Sequence, residues 1–325
     1  MNRDFCKIDS GDWVGPLWND SPELTPYAQA IADHYPVQVP LFLTVPITLN
    51  VAGGVIPLAS QTVNPYLYDV LILGANAYLE QSGDFVNNFD SIYLNITPEQ
   101  GKIPWAVPNK IGMFPLQSFA GFGGTGSIWP IVKMPEAYFW PKNTELRIDW
   151  SILRTTGETE FQIWLTLVGI QLINPTLGFT APEKITMPNG QVIEVGSRLP
   201  WFATVPIGDY QSRNPADFTL GAGQQAAQYL PPQDCDIELH DAHTGVVNVT
   251  TTQLNDRGAQ TSWMPQGVTY LAIAGNGAIC QALPFPKPHL LKKGHRLQIT
   301  FQNNNSALGY SGQPWTIRGV RRCGY

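Results

Sequence analysis

The sequence is poor in charge. Asp, Glu, Lys and Arg make up 14% of its 325 residues, against about 25% in an average globular domain. So thinly charged a surface fits burial in an assembly better than life as a dilute monomer. Cysteine is scarce too: Cys6, Cys235, Cys280 and Cys323 are too few for a disulfide scaffold and are expected to be buried thiols or bystanders. No run of about 18 apolar residues is present to span a membrane as a helix. Residues 1–6 lack the apolar core of a signal peptide. The formal net charge of −6 argues against a generic nucleic-acid binder, which would carry a broad basic surface.

What is present points to β structure. Apolar residues are 43% and aromatics 11% of the chain, enough for a core, and glycine and proline together number 58. Without a collagen period, that density predicts many turns between short strands. The chain also repeats itself. Residues 39–47, Val-Pro-Leu-Phe-Leu-Thr-Val-Pro-Ile, and residues 199–207, Leu-Pro-Trp-Phe-Ala-Thr-Val-Pro-Ile, agree at six of nine positions at an offset of 160. A second match, at an offset of 151, runs from Gly124 and Gly275 to Trp150 and Phe301, with Pro135, Lys142, Leu146 and Ile148 recurring as Pro286, Lys293, Leu297 and Ile299. Trp164 and Trp315 keep that offset. Two matches in the same order predict duplication of one domain.

Within each copy, Leu146-Arg-Ile-Asp-Trp150 and Leu297-Gln-Ile-Thr-Phe301 alternate with period two, the signature of a half-buried strand. Leu146, Ile148 and Trp150, and Leu297, Ile299 and Phe301, are expected inside. Trp164 is expected in core phase as well. Other strands are expected near 66–73, 89–96, 161–171, 235–240, 246–252, 268–273 and 315–321. Thr25-Pro26 starts a helix running to Tyr35, and Ala222 to Tyr229 is expected as a short inserted helix. The resulting fold class is all-β: two tandem antiparallel β-sandwiches of jelly-roll type, from an internal duplication. The expected division is an N-terminal arm with a short helix over 1–36, a first sandwich over 37–175 and a second over 176–325, with a linker from Asn174 to Pro188. The Cys…Trp…Cys pattern of an immunoglobulin-type sandwich is missing. Residues 1–175 hold 16 acidic and 8 basic residues, net −8, and residues 176–325 hold 9 and 11, net +2.

No catalytic, cofactor-binding or metal-ligating residues are expected from the motifs present. Gly121-Phe-Gly-Gly-Thr-Gly126 fits G-x-G-x-x-G, but Pro130 spoils the helix a dinucleotide site requires, so a turn feeding a strand is expected. Cys235-Asp-Ile-Glu-Leu-His240-Asp241-Ala-His243 is the densest group of metal-ligand types. On a strand Cys235 and His240 point apart, so solvated turn residues are expected. Glu158 and Glu160 sit in a hairpin, more suited to solubility than to a glycosidase pair. Asn95 and Asn248 begin glycosylation patterns with nothing to indicate secretion. Lys287, His289, Lys292, Lys293, His295 and Arg296 form a basic stretch, as do Arg318, Arg321 and Arg322. Salt bridges between subunits suit them at least as well as nucleic acid. Trp13, Trp18, Trp105 and Trp129 lie in Pro/Gly-rich loops, where aromatics mark interfaces, sugar platforms or anchors onto the domain's own core.

Lys133-Met-Pro135 to Trp150 with Phe161 to Leu172, and the echo Leu283-Pro-Phe-Pro286 to Phe301 with Trp315 to Val320, resemble bacteriophage virion proteins. The shared style is a Pro-flanked entry, a Lys/Asn/Gly turn, an alternating strand, and a last strand with an apolar-Gly-apolar phrase. That phrase is Val168-Gly169-Ile170 here; its echo, Arg318-Gly319-Val320, departs at Arg318. The resemblance covers about 40 residues of each copy and supplies no catalytic residues. It implies a non-enzymatic structural protein of a virion: a minor capsid, decoration or collar component that forms homo-oligomers and meets other virion proteins through loops and terminal arms. The alternatives are a double jelly-roll major capsid protein forming pseudo-hexameric trimers, and a carbohydrate-binding module of a host-recognition device. No membrane partner and no cofactor are expected.

Overall fold

The computed structural model describes residues 24–50, 58–63, 67–80, 92–99, 103–108, 111–123, 132–152, 160–205, 209–210, 218–244, 250–259, 261–262, 268–269, 275–276, 283–304, 310–311 and 315–323. One short helix, α1 (Pro26–Ala32), precedes the strands. The first half forms β1 (Val37–Asn50), β2 (Leu58–Val63), β3 (Asp69–Glu80), β4 (Ile92–Pro98), β5 (Phe114–Pro115), β6 (Ala120–Gly123), β7 (Val132–Trp140), β8 (Leu146–Ile152) and β9 (Glu160–Ile173). A hairpin follows, β10 (Lys184–Thr186) and β11 (Val192–Glu194). The second half forms β12 (Arg198–Val205), β13 (Asp209–Tyr210), β14 (Phe218–Leu220), β15 (Gln225–Leu230), β16 (Asp236–Thr244), β17 (Thr250–Asp256), β18 (Thr261–Ser262), β19 (Val268–Thr269), β20 (Gly275–Asn276), β21 (Leu283–Leu291), β22 (Leu297–Asn303), β23 (Tyr310–Ser311) and β24 (Trp315–Arg322).

The strand order defines two jelly rolls. In the first, β1-β9-β3-β7 forms one sheet and β2-β8-β4-β5 the other. In the second, the sheets are β12-β24-β16-β21 and β15-β22-β17-β19. Each sheet joins strands distant in sequence, as an antiparallel double Greek key requires. The copies agree in detail. Ile148 faces Gln61 and Ile96, and Ile299 faces Gln228 and Leu254, at the same node of the two sheets. β3 is irregular between Ile72 and Gly74, and β16 between Leu239 and Asp241, at matching places. β6 and β20 each add a parallel pairing to the strand that carries this bulge.

The glycines of the final phrase now have a physical cause. Gly169 and Gly319 pair with Ile72 and Leu239, the residues just before the bulge. A Cβ on Gly169 would lie 2.1 Å from the Leu71 carbonyl oxygen, and one on Gly319 would lie 2.5 Å from that of Glu238. Only glycine permits so close a backbone approach. A shared carboxylate also marks the duplication. Asp69 accepts the Lys142 amide at 2.8 Å, and Asp236 accepts the Lys293 amide at 2.8 Å.

The alternating strands are phased as expected: Leu146, Ile148, Trp150, Leu297, Ile299 and Phe301 are all 0% exposed. Four sequence expectations change. Gln225–Leu230 is a strand, not a helix: pairing with β22 overrides the helix preference of its alanines, and exposure alternates along it. Trp164 is not in core phase; it is half-buried on the outer face against Tyr78, with ring centroids 5.6 Å apart. The residue in register with Trp315 is Leu165, since these two face Val205 and Val45 respectively. Gly275 matches Gly121 rather than Gly124, because both continue the parallel pairing to the bulged strand.

Each roll has its own core. The first is centred on Trp105, Trp140, Trp150, Phe114 and Phe119, the second on Trp201, Trp315, Phe301 and Leu297. A third cluster covers part of the first roll's outer face. Helix α1 lays Tyr27, Ala28, Ile31 and Ala32 on Leu71, Phe139 and Leu172, and the β10–β11 hairpin adds Ile185 with Met187 from its turn. Thr25 caps the helix by accepting the Ala28 amide at 3.2 Å, and Pro26 fits its first turn.

Candidate assembly interface

The rolls are joined by burying an apolar residue of each half in the other's core, Phe202 in the first and Val107 in the second. Phe202, on edge strand β12 of the second roll, is 1% exposed and belongs to the first roll's core. Its ring stacks on Phe114 at 4.1 Å and meets Phe119 edge-on at 6.1 Å. Its backbone is held as well: the Phe202 amide donates to Trp105 O at 2.9 Å, and Phe202 O accepts the Val107 amide at 2.8 Å. Val107 in turn sits in the second roll's core. The loop around Trp105 therefore closes the edge of the second roll's sheet, where open ladder groups would otherwise invite other strands.

Charge completes the joint. Arg318 is 6% exposed and grips Asp241 with both prongs, Nε–Oδ1 at 2.6 Å and Nη2–Oδ2 at 2.8 Å. Its Nη1 donates across the joint to Ser118 O and Lys133 O, each at 3.2 Å. At the other end, Arg198 of the second roll meets Glu136 of the first at 2.9 Å and lies 5.2 Å from the Tyr27 ring centroid. The Thr25 hydroxyl donates to the same carboxylate. Burial pushes Glu136 above the usual carboxylate range despite Thr25 and Arg198, and burial raises the Tyr27 hydroxyl to about 12.

The face that docks in this way recurs on the first roll. Across β12 and β24, Pro200, Phe202 and Thr204 lie beside Val320, Arg318 and Thr316. Across β1 and β9, Pro40, Phe42 and Thr44 lie beside Ile170, Val168 and Thr166. Even the threonine contact repeats: the Thr204 and Thr316 hydroxyls are 3.1 Å apart, those of Thr44 and Thr166 3.0 Å. On the second roll these residues are buried beneath the first. On the first roll Phe42 is 58% exposed and Tyr78 43% exposed, while Val168 beside Phe42 is 5% exposed.

Trp105 is a core residue, 0% exposed, and not a sugar platform. Trp13, Trp18, Trp129, Glu158, Asn248, Cys6 and Cys280 lie outside the described residues, as do Gly124 to Gly126 and the side chain of Glu160. Cys235 and Cys323 are not bystanders. They form a disulfide with Cα atoms 5.3 Å apart, because β16 and β24 are neighbours and Asp236 faces Arg322 beside it. His240 occupies the bulge and Asp241 is taken by Arg318; among the described residues no three His, Cys, Asp or Glu could hold a metal ion.

Several members of the basic stretches pair with acids of their own chain, while Lys287, Lys292, Lys293 and Arg296 stay exposed. Lys292 pairs with Asp236 at 3.0 Å and Arg322 with Glu238. His295 and His289 face the buried Asp256 at 3.0 and 3.3 Å. Burial works against the Asp256 charge, but the Ala259 amide and the two histidines hold its carboxyl below the usual range. Burial pushes His289 and His240 down. No helix among the described residues is long and apolar enough to cross a membrane.

No protein-family model and no curated protein matches the chain. Among solved structures it is similar to the STIV major capsid protein, with a TM-score of 0.42 and 12% identity over 88% of this chain and 98% of that one. It also matches dimeric latent PorU from Porphyromonas gingivalis, with a TM-score of 0.21 and 7% identity over 78% of this chain and 24% of that one. Likenesses this distant carry no weight here; the jelly-roll assignment rests on the strand order.

Proposed function

We propose that the chain is a non-enzymatic virion coat protein, a rigid tile of two fused jelly rolls that assembles with further copies of itself. One observation carries this reading. The Pro-Phe-Thr face that fixes the second roll to the first is repeated on the first roll, where Phe42 is 58% exposed. The internal joint is heterologous, because two different surfaces meet. Repeating such a contact from chain to chain closes a ring when the rotation divides a circle. Three chains with two rolls each would form a pseudo-hexagonal trimer suited to tiling a shell. The boundaries 37–175 and 176–325 belong to the same proposal, with the hairpin of residues 184–194 acting as a strap laid back on the first roll.

A decoration or collar role would call for a partner surface of another kind, whereas the repeated face favours copies of the chain itself. The exposed Tyr78 beside Trp164 is the patch a carbohydrate-binding role would use, and a glycan array tests that alternative. The decisive experiment is mass photometry of the purified chain and of Phe42→Asp. The wild type is expected as a closed trimer and the variant as a monomer with unchanged melting. A monomeric wild type at micromolar concentration, or a trimeric variant, defeats the reading.

A further inference from the structure

We propose that the buried Arg318–Asp241 pair is a recognition key by which the first roll's socket selects the chain's own second roll and rejects the first roll of another copy. This rests on the reading that the Phe42 face docks in an assembly. That reading creates a problem of choice. The two docking faces share their Pro, their Phe and their hydrogen-bonded Thr pair at matching register positions. A socket that recognised phenylalanine alone would take either face. Taking the wrong one, first roll upon first roll, replaces a closing contact by one that need not close, and open polymers follow.

The faces differ in the row between the proline and threonine rows. On the second roll that row is Phe202, Arg318 and Asp241. On the first it is Phe42, Val168 and Gly74. The guanidinium divides its donors between two tasks. Nε and Nη2 are fixed by Asp241, which holds the plane of the group. Nη1 points across the joint at Ser118 O and Lys133 O of the first roll. A bidentate carboxylate fixes an arginine in direction as well as charge. The socket thus presents two carbonyl oxygens at a spot where the correct face brings a buried cation. The Phe42 face would bring the Val168 methyl groups there and remove that charged donor from both carbonyls.

Discrimination of this kind works by leaving the wrong partner's polar contacts unmade. Two hydrogen bonds from a charged donor correspond to a preference of roughly 100-fold or more. The covalent tether favours the internal partner too, but a short tether supplies an effective concentration only of about millimolar order. A growing shell approaches that concentration locally, so the tether does not decide the choice by itself. Arg318 and Asp241 are in this account positioning and specificity residues of the joint.

The test is native mass spectrometry of the full chain in three forms: wild type, Arg318→Val with Asp241→Gly, and Arg318→Lys. The double variant copies the chemistry of Val168 and Gly74. It is expected to keep its strand content and to spread from one closed species into a concentration-dependent series of larger ones. Arg318→Lys keeps a charge opposite Asp241 but lacks the planar fork, and gives the same spread at a smaller fraction. Should the double variant not fold, the lysine variant carries the test. A closed wild type together with folded variants that stay in the single closed species overturns the key alone. A monomeric wild type overturns the docking reading, and the key with it.

Discussion

The two rolls share one strand order yet secure the same places by different means. At the start of the bulged strand, Asp69 accepts the Tyr35 hydroxyl at 2.8 Å, whereas Asp236 accepts the Lys292 ammonium at 3.0 Å. One residue earlier, the first roll has the exposed Tyr68 and the second has Cys235, bridged to Cys323. The first roll covers the lower part of its outer sheet with α1 and a hairpin, and the second covers its own with the first roll. The backbone plan and the glycine contacts are alike; the outer face differs. The lesson is that duplication keeps the backbone plan while core side chains are refitted, Leu165 answering to Trp315 and Leu41 to Trp201, and each copy's outer face is covered by different means.

The sharpest way to break this comparison is to remove the staple that one roll has and the other lacks. The Cys235–Cys323 bond spans 88 residues. Loop-closure entropy for a ring of that size corresponds to about 4–5 kcal/mol of stability. Cys235→Ser with Cys323→Ser is therefore expected to lower the melting of the second roll, read by hydrogen exchange resolved by strand, and to leave β1 to β9 better protected. Equal loss of protection in both rolls would mean that they melt as one unit through Phe202. Unchanged exchange would mean that the bond closes nothing in solution.

Much of the plan was legible in the sequence, and the parts that were not share one physical cause. Period two placed Leu146 and Ile299 inside because a sheet face is a local property of the chain. The Thr25-Pro26 start of α1 was legible for the same reason. Phe42 and Phe202 sit in nearly identical phrases, and no local pattern says that one is buried and the other exposed; that depends on Phe114 and Phe119, from another part of the fold. The disulfide required knowing that the third and last main strands of a roll are neighbours. The acid partners of Lys292, His289, His295 and Arg318 were not legible, because Asp236, Asp256 and Asp241 come from other strands. Arg318 broke the apolar-Gly-apolar phrase, and that departure was the signal that its face meets something other than solvent.

The phenylalanine pair supplies the next test. Phe202→Ala removes a ring buried among Phe114 and Phe119. It is expected to cost about 3–4 kcal/mol in the dissociated chain, by transfer and cavity together. Phe42→Ala, at a site more than half exposed, is expected to cost less than about 1 kcal/mol there while weakening association. Denaturant melts at low protein concentration read the first quantity, and dilution-dependent mass photometry reads the second. Equal destabilisation of the dissociated chain by both variants would remove the distinction between an internal joint and an exposed repeat of it.

The smallest expected effect is a difference in acid response. In the second roll, Asp236 and Asp256 have carboxyls held below their usual range, opposing the effect of burial, through backbone amides and nearby Lys292, His295 and His289. Their contribution is present above the ordinary carboxylate range and is lost as pH falls through the lowered folded values. His289 and His240 are pushed down by burial, so the unfolded chain binds their protons first and stability also falls as pH drops below about 6.5. Glu136, raised chiefly by burial, acts with the opposite sign: its contribution is full below the unfolded value and is lost as pH rises through the folded one. Lowering pH from 7 to 4 should therefore loosen the second roll before the joint at Glu136. Both histidines are partly exposed, so screening keeps the effect modest. Histidine ring signals followed by NMR alongside strand-resolved exchange would show His289 titrating below its ordinary value as β21 loses protection, while β7 holds. Loss of β7 first would reverse the assignment of the acid-sensitive half.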